Sequence, residues 1–472
     1  ALTRAGIRLV QGNREVELML PLGNSPLAVT ARNMRATWLQ PLLPKLAWQA
    51  GRIDGRVELT DNSGTPSRWR GELRASGVSA EASAGAIALA GVSLAGPVEL
   101  RTQAGGRLSI ATTPTLSAGE LLAGPVYLAW PAGSDVRLDV AVDQRGEIWQ
   151  FQHFKLQDAG FNAEATATIQ PGADTWLRHL SGTFEIDLAT RYERYLEGAM
   201  ASLGHAGLRT GGVMSGSIEL GVGGHVQAFD ARLDQVALRH PDNRYALTGL
   251  AGNLAFRRAD QPPVPIDLRW QGLSVHELAF DPGMLKAASS AGEIRATEPL
   301  RLGLFGGHVI ANDLVYRPLT ATADRLQASV ELVGINIAAL VAAFDWPAFT
   351  GRLDGQLPDL RYAGDTLSAG GEIGMQVFDG EVRIAELAIE RPFGVAPALA
   401  SEVVLDNLNL QPMTEVFGLG RIEGRLNGTI AGLRLLDWQP TAFDANLRTA
   451  EKGRRRISQL AVEQLTQIGG GG

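Results

Sequence analysis

The 472-residue sequence predicts a mainly β protein, a long and twisted antiparallel sheet with a few short helices. Three observations predict it. Apolar and polar residues alternate with period two over segments of four to eight residues, the signature of strands with one apolar face. Glycine reaches 56 residues, about 12% against roughly 7% in average proteins, so tight turns are many. A turn phrase recurs as Gly51-Arg52-Ile53-Asp54-Gly55, Gly351-Arg352-Leu353-Asp354-Gly355 and Gly420-Arg421-Ile422-Glu423-Gly424, and internal repetition marks a modular architecture.

In chain order, residues 34–46 read as a helix and 136–143 as a strand with Val136, Leu138 and Val140 on one face. Residues 191–203 read as a second helix. Gly212-Val213-Met214-Ser215-Gly216 reads as a degenerate copy of the turn phrase rather than a nucleophile elbow, because it precedes a strand. Strands follow at 217–222, with Ile218, Leu220 and Val222 inward, at 231–238, at 266–270, with Ile266 and Leu268 inward, and at 327–332, with Val330 and Leu332 inward. A third helix is expected at 335–344. Strands at 371–378, with Met375 and Val377 inward, at 402–408 and at 443–448 lead to a helix at 454–468, whose Ile457, Leu460, Ala461, Leu465 and Ile468 share a face.

The C-terminal part repeats at length. Phe305-Gly306-Gly307-His308-Val309 matches Phe378-Asp379-Gly380-Glu381-Val382, and Gly334-Ile335-Asn336-Ile337 matches Asn407-Leu408-Asn409-Leu410, so each unit is several strands plus a helix over about 70 residues. The expected organisation is a first part over 1–185, a middle part over 186–300, two repeats over 301–450, and the helix with its glycine tail over 451–472. The 25 to 30 strands counted this way, spaced at about 4.8 Å, would extend roughly 120 to 145 Å before twist shortens the sheet.

A search for chemistry finds no constellation. Cysteine is absent, which removes disulfides, thiolate metal sites and cysteine nucleophiles together. The seven histidines fall at no metal-binding spacing, and the glycine-rich stretches lack the Lys-Ser/Thr of a phosphate loop. Asp354 and Glu423 are read as turn caps, since a catalytic carboxylate pair is needed once and not in every repeat. The expectation is a protein that is not an enzyme and takes no cofactor or metal. A net charge of −7 gives no reason to expect nucleic acid, and no apolar run reaches the ~20 residues of a membrane-spanning helix. The start at Ala1 and the end in Gly469 to Gly472 are what a piece of a longer chain would show.

Leu, Val, Ile and Ala stock the apolar face of the alternating strands, a lining suited to acyl chains. Such a sheet either closes on itself as a barrel or sandwich or curls into an open groove. The inward residues named above, Val136 to Val377, line the groove in one case and fill the core in the other.

Residues 417–428, then Leu433-Arg434-Leu435-Leu436-Asp437-Trp438-Gln439-Pro440, Arg456-Ile457-Ser458-Gln459 and Ile468-Gly469-Gly470, carry a resemblance to the YdbH-like branch of the AsmA-like envelope proteins. The likeness runs over residues 305–472 and is architectural before that. It implies a Gram-negative periplasmic protein, held in the inner membrane by an N-terminal helix that precedes this sequence. Its taco-shaped β-groove would conduct phospholipids toward the outer membrane. It also implies that a small outer-membrane lipoprotein of the YnbE type extends the sheet by strand addition at its C-terminal end. A structural or adhesive β-solenoid with a closed core and no lipid is the alternative, and it favours shorter and stricter repeats.

Overall fold

The structure, a computed structural model, describes residues 6–20, 26–41, 43–61, 67–103, 107–124, 126–320, 324–450, 456–459 and 461–462. It is mainly β, with thirty strands in antiparallel sheet pairing and a separate small pair, Ile422–Glu423 with Arg456–Ile457. Four α-helices occur among the described residues: α1 (Leu188–Tyr195), α2 (Glu197–Ser202), α3 (Ile337–Ala343) and α4 (Leu410–Val416). The chain divides into two compact units, Ala1–Val236 and Ala237–Gly472.

The alternation seen in the sequence is a division of faces. In the strand Val136–Arg145, Val136 is buried and Leu138 and Val140 are partly buried, while Arg137 and Asp139 are exposed. The polar face is laced with charge pairs. Glu99 accepts from Arg70 Nε at 2.9 Å and Arg101 Nε at 2.6 Å. Burial pushes the Glu99 carboxyl up, but those two arginines outweigh it and hold its pKa below the usual range.

One local device occurs four times. A strand ends in an apolar residue, the next residue occupies the helix N-cap, and the residue after that is buried as helical structure begins: Met34-Arg35-Ala36, Ile186-Asp187-Leu188, Ile335-Asn336-Ile337 and Leu408-Asn409-Leu410. The return strand lays an apolar residue opposite the first of the three, pairing Met34 with Ile53, Ile186 with Met214, Ile335 with Leu353 and Leu408 with Leu426. In three copies the helix buries an i, i+4 stripe: Leu188 with Tyr192, Ile337 with Val341, and Leu410 with Thr414.

Capping decides how far each helix runs. The Asp187 carboxylate accepts from Ala189 N–H at 3.0 Å, the Asn336 side chain from Ala338 N–H at 2.8 Å, and the Asn409 side chain from Gln411 N–H at 3.3 Å. Arg35 offers no acceptor at the same place. The expected helix at 34–46 is therefore only a single 3₁₀ turn, Ala36–Leu39, ended by Pro41 and preceded by strand through Arg35. The expected helix at 191–203 begins earlier and is broken at Leu196 into α1 and α2. The expected helix at 454–468 lies largely outside the described residues; where it is described, Arg456–Ile457 is a strand, while Gln459, Ala461 and Val462 are helical and Val462 N–H donates to the Ser458 carbonyl at 3.1 Å. Helix α4 matches α3 across the repeat, the helix expected of each unit, although Gln411 and Pro412 blunt its apolar pattern.

The repeat register also needs a correction. Asp54 Oδ1 accepts from Asn33 N–H at 2.7 Å, Asp354 Oδ1 from Gly334 N–H at 2.8 Å, and Asn427 Oδ1 from Asn407 N–H at 2.8 Å. All three donors sit at positive φ. The last member of the series is thus Gly424-Arg425-Leu426-Asn427-Gly428, not the phrase that starts at Gly420. The fourth position needs a short acceptor reaching back to the kinked residue of the preceding strand, and Glu423 instead pairs with Arg421 at 3.3 Å.

Candidate functional site

The candidate site is the apolar face itself, traced across strands by their register. In the first unit Val57 stands opposite Gly71 and Gly71 opposite Val98, and the row continues through Thr112 to Val140. From there it passes Phe154, Ala165 and Gly182 to Ile218. In the second unit one row joins Leu302, Val309, Leu332 and Gly355, then Ile373, Ile384, Val403 and Ile430. Such rows run perpendicular to the strands and present an apolar side chain at most steps of about 4.8 Å, with Gly71, Thr112, Gly182 and Gly355 between them.

Val140 and Ile218, chosen from separate strands, stand in one row. Leu138 leads through Leu156 and Ala163 to Phe184. Leu220 joins a neighbouring row through Leu180. Val330, Leu332, Met375 and Val377 belong to a single apolar cluster, and Ile266 and Leu268 to a smaller one with Ala255 and Ala287. Val222 is a correction. Its strand stops at Leu220, Gly223 and Gly224 turn at positive φ, and Val222 sits in that turn 51% exposed. Pairing also brings in Phe154, Ile373, Ile384 and Val403, which no parity count within a single strand connects.

Burial along the face is incomplete. Val136, Ile266, Val330 and Val377 are buried, but Leu138, Val140, Ile218, Leu220, Leu268, Leu332 and Met375 all keep contact with solvent. The buried positions include those where helices pack: Ile337 and Val341 of α3 and Leu410 of α4 share one core cluster with Leu353, Leu408 and Leu426. A face filled like a sandwich core would bury its central row throughout, whereas among the traced row members only Val98, Ile373 and Val403 are buried.

The two margins of the sheet, defined by the two ends of the strands, approach one another within each unit. In the first unit the 3₁₀ turn and α1 lie on one margin, and in the second unit α3 and α4 lie on one margin. In the first unit Lys45, on the margin of the 3₁₀ turn, pairs with Glu147 in a turn of the opposite margin at 3.0 Å, and Ser83 Oγ accepts from Gly172 N–H at 2.9 Å. In the second unit His276 Nε2 lies 2.8 Å from the carbonyl of Pro392, Arg244 donates to the carbonyl of Phe393 at 3.2 Å, and the rings of Phe344 and Trp438 stand 5.1 Å apart. These contacts express the curl of the sheet and bridge the space over the apolar face.

One buried polar knot fixes α1. The Asp158 carboxylate accepts from Tyr195 Oη at 2.9 Å and Arg194 Nη1 at 2.6 Å, and Trp130 Nε1 donates to Tyr195 Oη at 3.3 Å. Tyr195 also stacks on Phe161, with centroids 3.9 Å apart. Burial pushes the Tyr195 phenol up to about 12, with Asp158 adding to the rise and Trp130 opposing it. The knot pins α1 to the strands that carry Trp130, Asp158 and Phe161.

Among the described residues no group of three or more metal-ligating side chains comes together, and no helix is long and apolar enough to cross a membrane. No family model, no curated protein and no solved structure matches this chain.

Proposed function

We propose that the apolar face is a path for phospholipid acyl chains and that the protein bridges the inner and outer membranes across the periplasm. The reading is carried by one observation: apolar rows continue across consecutive strands while most of their side chains stay incompletely buried. A two-chain phospholipid crossing water would face on the order of 20 kcal/mol, at about 0.8 kcal/mol for each exposed CH₂, and an unbroken apolar lining removes most of that barrier. The resemblance to the YdbH-like branch agrees with this, and with an inner-membrane anchor ahead of the sequence.

The strand Gln439–Thr449 is exposed along its whole length and, among the described residues, pairs on one side only. A free edge of this kind accepts a further strand through main-chain hydrogen bonds, which is how a small outer-membrane lipoprotein of the YnbE type would dock.

The test is native mass spectrometry of protein purified from envelope membranes, with extraction of bound lipid. Co-purifying phospholipid is expected from the unaltered chain, with little from a Leu220→Asp/Leu332→Asp variant of unchanged circular dichroism. Equal lipid in both, or none in either, would overturn the proposal and favour the closed structural body.

A further inference from the structure

The first copy of the repeated device breaks its own rules. The N-cap position held by Asp187, Asn336 and Asn409 elsewhere is Arg35 here, which forfeits the cap. Arg35 also stands directly opposite Arg52, whereas the equivalent pairs are Asp187 with Val213, Asn336 with Arg352, and Asn409 with Arg425. Like charges facing each other across two strands are destabilising. In the third copy Arg352 is neutralised by Asp354 at 2.8 Å. Among the described residues Arg52 has no such partner, and neither has Arg35 or Arg14.

These three arginines converge on one recess with Thr37, Gln49 and Ser76, and no carboxylate lines it. Nearby acids are already engaged: Glu15 by Arg8, Glu58 by Arg56 at 2.7 Å, and Asp54 by Asn33 N–H. Residues 1–60 carry eight basic side chains against four acidic ones in a chain whose net charge is −7. Local rules broken together, with no compensating contact inside the fold, are the mark of a site made for a ligand.

We propose that this recess binds the phosphate of an anionic phospholipid headgroup, so that the N-terminal end of the sheet engages the lipid surface from which cargo enters. Guanidinium groups recognise phosphate by paired, charge-assisted hydrogen bonds, and the hydroxyls of Thr37 and Ser76 supply neutral donors. The inference rests on the phospholipid reading above.

The test is sedimentation of the full chain with vesicles of phosphatidylglycerol and phosphatidylcholine, against phosphatidylcholine alone, at low salt. Parallel titration with inorganic phosphate serves as the free-ion arm. Arg35→Gln/Arg52→Gln should weaken binding to the anionic vesicles about thirtyfold, following two lost surface arginines. The charge-matched control Arg301→Gln/Arg434→Gln should change it less than about threefold. Arg35→Asn restores the capping residue of the other copies and should raise the melting temperature while weakening vesicle binding, opposite directions that a purely structural role does not give. Equal weakening by both double variants, or weakening by neither, overturns the proposal. Arginine-dependent binding of inorganic phosphate with no anionic-vesicle binding also overturns it, in favour of a free-phosphate site. Co-purified lipid is measured on the same samples: lipid retained while vesicle binding is lost isolates the recess, and vesicle binding retained by a lipid-free chain sinks the transport reading alone.

Discussion

Truncating Leu408 and Leu332, each to Ala, separates a filled core from an open lining. Leu408 is 2% exposed, sits opposite Leu426 and belongs to the cluster that holds α3 and α4. Removing its side chain leaves a cavity between sheet and helix, and the expected loss is about 3 to 4 kcal/mol. Leu332 lies on the central row, opposite Val309 and Gly355, and its side chain still meets solvent. Leu332 packs against the same cluster but stays partly exposed, so the space its truncation leaves is expected to open to solvent and the loss to be about 1 kcal/mol, the transfer free energy of the fraction that is buried. Urea unfolding of delipidated protein, followed by tryptophan fluorescence, measures both. Added phospholipid should stabilise the unaltered protein more than the Leu332 variant. A Leu332→Ala loss as large as that of Leu408→Ala would mean that the row is packed against something and would refute the open lining.

Other consequences are as direct. Asp354→Ala and Asn427→Ala should each destabilise by about 1 to 2 kcal/mol, since each strands a backbone N–H at a kink, whereas Glu423→Ala should cost about 0.5 kcal/mol or less, since it removes only an ion pair with the exposed Arg421. The Tyr195 phenol has its folded pKa raised to about 12, so its contribution to stability is complete below pH ~10 and is lost as pH climbs from there through 12; Tyr195→Phe should flatten that limb of the stability profile. Hydrogen bonds from Ser109, at 2.5 Å, and Arg107, at 2.6 Å, hold the Asp143 carboxyl below its ordinary range. Its contribution is present above pH ~4 and fades as pH falls through the depressed value, and Asp143→Asn should remove that acid dependence. His276→Ala should speed proteolysis in the 391–397 loop with little change in global unfolding, as judged by mass-mapped limited digestion.

The alternation at Val136, Leu138 and Val140 made the faces of the sheet legible, because residue parity within a strand is a local property. Continuity of the face was not legible. Whether Val140 meets Phe154 or its neighbour depends on a register shift after Ala141, and a kink of that sort leaves no period-two mark. The repeat was visible, but its last copy was misplaced by four residues because Gly420 and Gly424 both open a Gly-Arg phrase, and only the hydrogen bond from Asn407 to Asn427 tells them apart. The arginine recess was missed for a related reason. Arg14, Arg35 and Arg52 come from three strands, and the informative signal was a substitution at a repeated position, Arg where the other copies have Asp or Asn, rather than any run of charge.

The margins and the face differ in strength, and that difference bears on movement. Helices α1, α3 and α4 are docked by buried side chains, such as Ile337 and Val341 of α3, which together contribute about 3 to 6 kcal/mol of apolar transfer. The bridges between margins are few and partly exposed. The Lys45–Glu147 pair is about half exposed at both ends, and such a pair contributes about 0.2 to 1 kcal/mol; each hydrogen bond to the 391–397 loop contributes about 0.5 to 1.5 kcal/mol. Local opening takes the weakest contacts first, so the bridges part while the helices stay seated. On the proposed function, an acyl chain would then need no unfolding to enter or leave sideways between two bridges. The order of these energies, rather than the presence of any moving part, is what would let the proposed lipid path exchange acyl chains with a membrane.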